Sequence, residues 1–114
     1  MSNTDYDPAA FAERVQERDD DLLVLDVRRE EDYEEWQIPD STNLPVYDEL
    51  LQYDYSSLES SLDELPEDTE IAVVCVGGVT SARAAEFLRD HGYDAKSVRN
   101  GMNGWGRVHR EYDT

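Results

Sequence analysis

The chain has 114 residues, 28 of them Asp or Glu against 10 Lys or Arg, for a net charge of −18. That length suits one domain, and that charge repels nucleic-acid phosphates and anionic lipid, so neither is an expected partner. No apolar run approaches the ~20 residues of a membrane helix, and the start, MSNTDYDPAAF, lacks the basic and apolar stretches of a signal peptide, so a cytoplasmic location is expected. The acid is spread along the whole chain, and Lys96 is the only lysine, which points to a solvated surface suited to high salt and to a halophilic source, an archaeon. The one cysteine, Cys75, can form neither an internal disulfide nor a multi-cysteine zinc site.

In chain order, Asp7-Pro8 reads as an N-cap followed by proline at the first helical position, with Phe11 and Val15 on one face of a short helix. Asp19 to Asp21 is an acidic turn. Leu22 to Val27, LLVLDV, has the pattern of a strand buried on both faces. Glu30 to Trp36 predicts one or two helical turns, ended by Pro39, and Asn43 to Pro45 a very short strand. QYDYSS, 52–57, reads as a loop. Leu58, Leu62 and Leu65 follow helical spacing up to Pro66. Ile71 to Cys75, IAVVC, repeats the buried-strand pattern, and VGGVT reads as a tight turn. Ser81 to His91 predicts a helix with Ala84, Phe87, Leu88 and His91 on one stripe and Gly92 as its stop. A third long strand over 96–99, a turn at Asn100-Gly101 and a short helix opening at Met102 to Trp105 complete the series. Strands alternating with helices predict an α/β fold with a mainly parallel central sheet, flanked by helices on both faces. Sites in such sheets form beyond the carboxyl ends of the strands, where Cys75 stands.

A thiol between a strand and a glycine-bearing loop that opens a helix meets backbone N–H groups and the helix dipole. Both favour the thiolate, which is the nucleophile, and would hold a persulfide anion in the same way. Gly77 and Gly78 permit the backbone angles and the close approach this needs. His91 and His109 are isolated and read as structural or surface groups. Asp26 and Arg28, two apart at a strand end, share a face. An ion pair of Arg28 with Glu31 or Glu35 is preferred over a substrate contact, and Trp36 is expected in the core or a pocket wall.

The run Cys75-Val76-Gly77-Gly78-Val79-Thr80-Ser81 resembles the rhodanese active-site loop, in which a cysteine precedes a short loop and a Ser-x-x-Ala-Ala helix start. LLVLDVRREEDYEEWQIPDSTNLP resembles the family's upstream segment, LRDHGYDAKSVRNGMNGW its ending, and Tyr6-Asp7-Pro8 plus a helix its opening. The resemblance covers nearly the whole chain and implies a single rhodanese-like domain over 1–114. It implies Cys75 as the sulfur acceptor, Val76, Gly77, Gly78, Val79, Thr80 and Ser81 as the cradle of a persulfide, and Asp26 and Arg28 as supports. The implied activity is sulfur transfer from a donor (thiosulfate, mercaptopyruvate or a protein persulfide) to a thiophilic acceptor, by a monomer or weak dimer, with no metal or organic cofactor required. A sulfur-relay protein docked on the acidic face is a further expected partner.

Two departures qualify this. The family's Gly-His before Ile-Pro is Trp36-Gln37 here, and the loop carries no charged side chain, whereas thiosulfate-using relatives often place basic residues after the cysteine. A phosphatase or arsenate reductase would need arginine where Ser81 stands, to clamp phosphate oxygens. A non-catalytic binding or redox-sensing module with the same thiol is the alternative reading.

Overall fold

The computed structural model describes residues 5–17 and 20–112, the side chains of 109–112 apart. Five strands form the sheet: β1 (Asp5–Tyr6), β2 (Leu22–Asp26), β3 (Thr42–Asn43), β4 (Glu70–Val74) and β5 (Ala95–Val98). Their order is β1-β5-β4-β2-β3, and every pair is parallel. The helices are α1 (Pro8–Gln16), α2 (Glu30–Glu35), α3 (Tyr47–Leu51), α4 (Ser56–Ser60), α5 (Val79–Asp90) and α6 (Gly101–Tyr112), with a 3₁₀ turn over Leu62–Glu64. None of the described helices is long and apolar enough to cross a membrane.

Alternation along the strands sends successive side chains to opposite faces. Leu25, Val27, Ile71, Val73, Cys75 and Ala95 pack with Leu50 of α3, Leu58 of α4 and Ala84, Ala85 and Leu88 of α5. Val24, Ala72, Val74 and Val98 point the other way, toward Phe11 and Ala12 of α1 and Met102 and Trp105 of α6. Helices therefore cover both faces, which is why β2 and β4 read as apolar runs rather than alternating ones. Each large side chain so buried contributes about 1.5–3 kcal/mol. Phe11 meets Trp105 edge to face at 5.9 Å, joining α1 to α6.

Local chemistry sets the ends. The Asp7 carboxylate accepts from the Ala9 and Ala10 N–H groups at 3.1 and 3.2 Å, and Pro8 opens α1. Gly92, with φ +91°, follows the cap residue His91 at the end of α5. His91 is exposed and stacks on Phe87 with ring centres 4.2 Å apart, while Phe87 lies flat on Tyr55 at 5.0 Å.

Several expectations change. β1 and α3 have no counterpart in the sequence reading, β3 begins one residue before the expected strand and shares only Asn43 with it, and α4 begins inside the segment read as a loop. α6 runs on to Tyr112, so His109 belongs to a helix rather than a polar tail. Asp19 of the acidic turn lies outside the described residues. Trp36 is 44% exposed, and its ring edge packs over Gly106 of α6. α2 ends at Trp36 in extended backbone.

Candidate active site

β2 and β4 are hydrogen-bonded neighbours in register from Leu22↔Glu70 to Asp26↔Val74. The chain leaves β2 toward β3 on one side and leaves β4 toward β5 on the other. This reversal opens a crevice at the carboxyl ends of the two strands, the usual ligand position in an open parallel sheet. Cys75 is the residue after β4 and is 2% exposed.

The loop after Cys75 is shorter than expected. Gly78 lies in the left-handed region, φ +99°, and a Cβ there would stand 3.0 Å from the Asn100 backbone nitrogen. The chain thus turns sharply at Gly78, and α5 begins at Val79. Val79 and Thr80, expected as loop, join Ser81 in the first turn of this helix, and only 76–78 remain as loop.

The Gly78 N–H donates to Cys75 Sγ at 3.0 Å. Ser81 Oγ lies 3.2 Å from the same sulfur and 2.7 Å from Ser97 Oγ, and Ser81 and Ser97 are both buried. Among the residues of the expected cradle, the contacts concentrate on Gly78 and Ser81. Burial pushes the Cys75 thiol pKa up, but the Ser81 and Thr80 hydroxyls and the Ser81 and Gly78 backbone N–H groups outweigh it. The thiol is held below its ordinary value, as the anion nest predicts. Thr80 Oγ1 is buried without a partner in ordinary hydrogen-bond geometry, so its hydroxyl acts on the sulfur as a nearby dipole.

The other wall of the loop is α6. Its Met102 N–H donates to the Cys75 carbonyl at 2.8 Å and its Asn103 N–H to the Val76 carbonyl at 3.1 Å. Gly101, φ +51°, makes this possible, because a Cβ there would lie 2.2 Å from the Cys75 carbonyl oxygen. The sequence reading found the Asn100-Gly101 turn but not its contact with Cys75. The signal was present in the Asn-Gly pair; its partner, 26 residues earlier (Gly101 against Cys75), was not.

In front of the sulfur lies a cavity of about 220 Å³ lined by Tyr47, Leu51, Cys75, Val76, Gly77, Val79 and Thr80. Apart from Cys75 itself, this lining holds no Asp, Glu, Lys, Arg or His. Leu51, Val76 and Val79 are exposed apolar residues at its mouth. Arg83, one turn into α5, points elsewhere: it donates to the Leu50 carbonyl at 3.0 Å and to Tyr53 Oη at 2.9 Å, tying α3 to α5.

Asp26 and Arg28 stand at the end of β2, 1% and 3% exposed. The guanidinium Nε and Nη2 donate to the Asp26 carboxylate at 2.8–3.0 Å, and Nη2 also donates to the Trp36 carbonyl at 2.7 Å. The expected pairing of Arg28 with Glu31 or Glu35 is therefore corrected, because those glutamates lie on exposed turns of α2 while Asp26 is buried beside the guanidinium. Neither Asp26 nor Arg28 lines the Cys75 cavity. Among the described residues no three histidine, cysteine or carboxylate side chains converge as metal ligands.

A parallel sheet with helices on both faces, carrying a buried thiol at the reversal of strand order, defines the class. The rhodanese-like domain family matches residues 7–107, and the chain belongs to it. It is 26% identical over 105 residues to a putative sulfurtransferase, YtwF, of Bacillus subtilis, covering 92% of each chain. It is 36% identical over 86 residues to an adenylyltransferase and sulfurtransferase, MOCS3-1, of Zea mays, covering 75% of this chain. The match takes in only 18% of the maize protein's length. The crystal structure of a rhodanese-related protein from Thermoplasma volcanium superposes with a TM-score of 0.74 at 28% identity, covering 90% of each chain.

Proposed function

We propose that the chain is one rhodanese-like domain that transfers sulfane sulfur through a persulfide on Cys75. The observation that carries this reading is the buried Cys75 sulfur, met by the Gly78 N–H and the Ser81 hydroxyl at the head of α5. The Cys75 thiolate attacks the outer sulfur of a donor. An Sγ–S bond forms as the donor's bond to that sulfur breaks, and the electron pair leaves with the donor remnant. A nucleophilic acceptor then attacks the terminal sulfur, and the Sγ–S pair returns to Cys75 as thiolate. Asp26 and Arg28 support the crevice from the β2 side without meeting substrate.

The uncharged cavity and the charge of −18 disfavour a small dianion such as thiosulfate. They weigh less against mercaptopyruvate, a monoanion, and least against a protein persulfide as donor, and the acidic surface suits a basic sulfur-relay partner. The same acid supports a halophilic source. Stability that rises with KCl to multimolar concentration agrees with this, and equal stability at low and high salt overturns it.

The test is persulfide loading. Reduced protein is incubated in multimolar KCl with thiosulfate or, separately, mercaptopyruvate, and intact mass is read before and after cyanide, with Cys75→Ser as control. A gain of one sulfur that cyanide removes, absent in the variant, is expected with mercaptopyruvate above thiosulfate. No gain from these donors or from a protein persulfide, together with a stable sulfenate after peroxide, replaces transfer with redox sensing.

A further inference from the structure

Among the described residues, Cys75 lines the cavity that a donor or acceptor fills. A thiol that must ionise there needs a path for its proton that bound substrate does not block. No charged side chain lines that cavity, and Tyr47 is its one other titratable group. The rear is different. Ser81 Oγ, 3.2 Å behind the sulfur, is itself 2.7 Å from Ser97 Oγ on β5. Ser97 in turn lines a second, rear cavity of about 350 Å³, which shares Gly77 and Val79 with the front one and is bounded also by Gly78 and Asn100.

We propose that Cys75, Ser81 and Ser97 form a hydroxyl relay that carries the Cys75 proton to solvent in the rear cavity, with Ser97 as the positioning residue that orients Ser81. In the thiol state Sγ–H donates to Ser81 Oγ, Ser81 donates to Ser97 Oγ, and Ser97 donates to water in the rear cavity. Three protons move one place each. The Sγ–H, Ser81 O–H and Ser97 O–H bonds break, new O–H bonds form on Ser81, Ser97 and the water, and the electron pair stays on sulfur. The chain of donors is then reversed: Ser97 donates to Ser81, and Ser81 donates to the thiolate. One hydroxyl between two partners has only these two consistent arrangements, which is why the second serine matters.

The charged groups around the relay leave it free to work this way. Asp5, Glu86, Arg89 and Arg99 also line the rear cavity. Arg99 is paired with Asp5 at 3.0 Å, and Arg89 donates to the Ala95 carbonyl at 2.9 Å. On β2, Asp26 and Arg28 neutralise each other. Glu86 is exposed on α5.

The proposal rests on the thiolate reading of Cys75, but alkylation tests it without any sulfur transfer. The rate of reaction of Cys75 with iodoacetamide is measured against pH in the reduced full-length protein. Ser97→Ala is expected to move the midpoint upward and to slow alkylation about fivefold below it, while Ser97→Thr, which keeps the hydroxyl, restores the profile. In a Ser81→Ala background the Ser97 change is expected to do nothing further, because its effect passes through Ser81. An unchanged profile in Ser97→Ala, or an equal shift with and without Ser81, overturns the orientation of Ser81 by Ser97 on which the relay depends. Should Ser97→Ala fail to fold, Ser97→Thr against Ser97→Val separates hydroxyl from shape, and identical profiles for that pair overturn the proposal. Persulfide loading that fails while the alkylation profile shifts as expected counts against the transfer reading and leaves the relay standing.

Discussion

The carboxyl ends of β2 and β4 are adjacent and hold charge by opposite means. At β2, Arg28 grips Asp26 through its guanidinium and adds the Trp36 carbonyl, so two full charges cancel within the fold. At β4, Cys75 has no ionic partner among the groups on its sulfur, only an amide, hydroxyls and the start of α5. A buried ion pair is fixed, because separating it leaves a bare charge in a medium that solvates it poorly. Dipoles tolerate both forms of the group they face. The first end is a brace, and the second can gain and lose charge, as a nucleophile must.

Substitutions sharpen that contrast. Arg28→Ala leaves the Asp26 carboxylate buried and unpaired and should cost about 3–5 kcal/mol in urea denaturation. A loss under 1 kcal/mol would mean the pair is no brace. Gly101→Ala places a methyl against the Cys75 carbonyl in a left-handed backbone. About 1–3 kcal/mol of strain is expected, with alkylation of Cys75 slowed as its loop is displaced from α6. Ser81→Ala removes a donor to the thiolate, so the alkylation midpoint should rise and the thiolate fraction below it fall about tenfold, with folding retained. Thr80→Val should be the mildest, raising stability by up to about 1 kcal/mol by removing an unpartnered buried hydroxyl while moving the midpoint slightly up.

The two ends should also part company in pH. The folded thiol is held below its free value of about 8.5. The folded state thus favours the thiolate, and its contribution is absent below the folded midpoint, grows as pH rises toward the free value and is constant above it. The stability difference between the parent and Cys75→Ser should follow that curve in denaturation series at several pH values. A difference that shrinks over the same range would reverse the sign of the shift.

The sheet and its thiol were legible because β2 and β4 are buried on both faces and so read as apolar runs ending at Asp26 and Cys75. The start of α5 was misplaced by two residues because Val79 and Thr80 favour strands as readily as helices, and the Gly78 turn decided between them. β1 is two residues long and exists through pairing with Ser97 and Val98, a partner no local pattern reveals. Ser97 itself stands in AKSV, where a small polar residue reads as filler. Its role depends on a helix 16 residues away in sequence. Arg28 was assigned to the glutamates of α2 by proximity along the chain; burial favoured Asp26 instead.

The sheet's outer strands, β1 and β3, have two described residues each, while the thiol follows the end of the central strand. An edge only ~7 Å long offers another chain almost no ladder to extend. Among the described residues, cross-chain strand addition, the route by which exposed sheet edges seed aggregates, therefore finds little purchase at either margin, and the reactive loop lies two strands in from both.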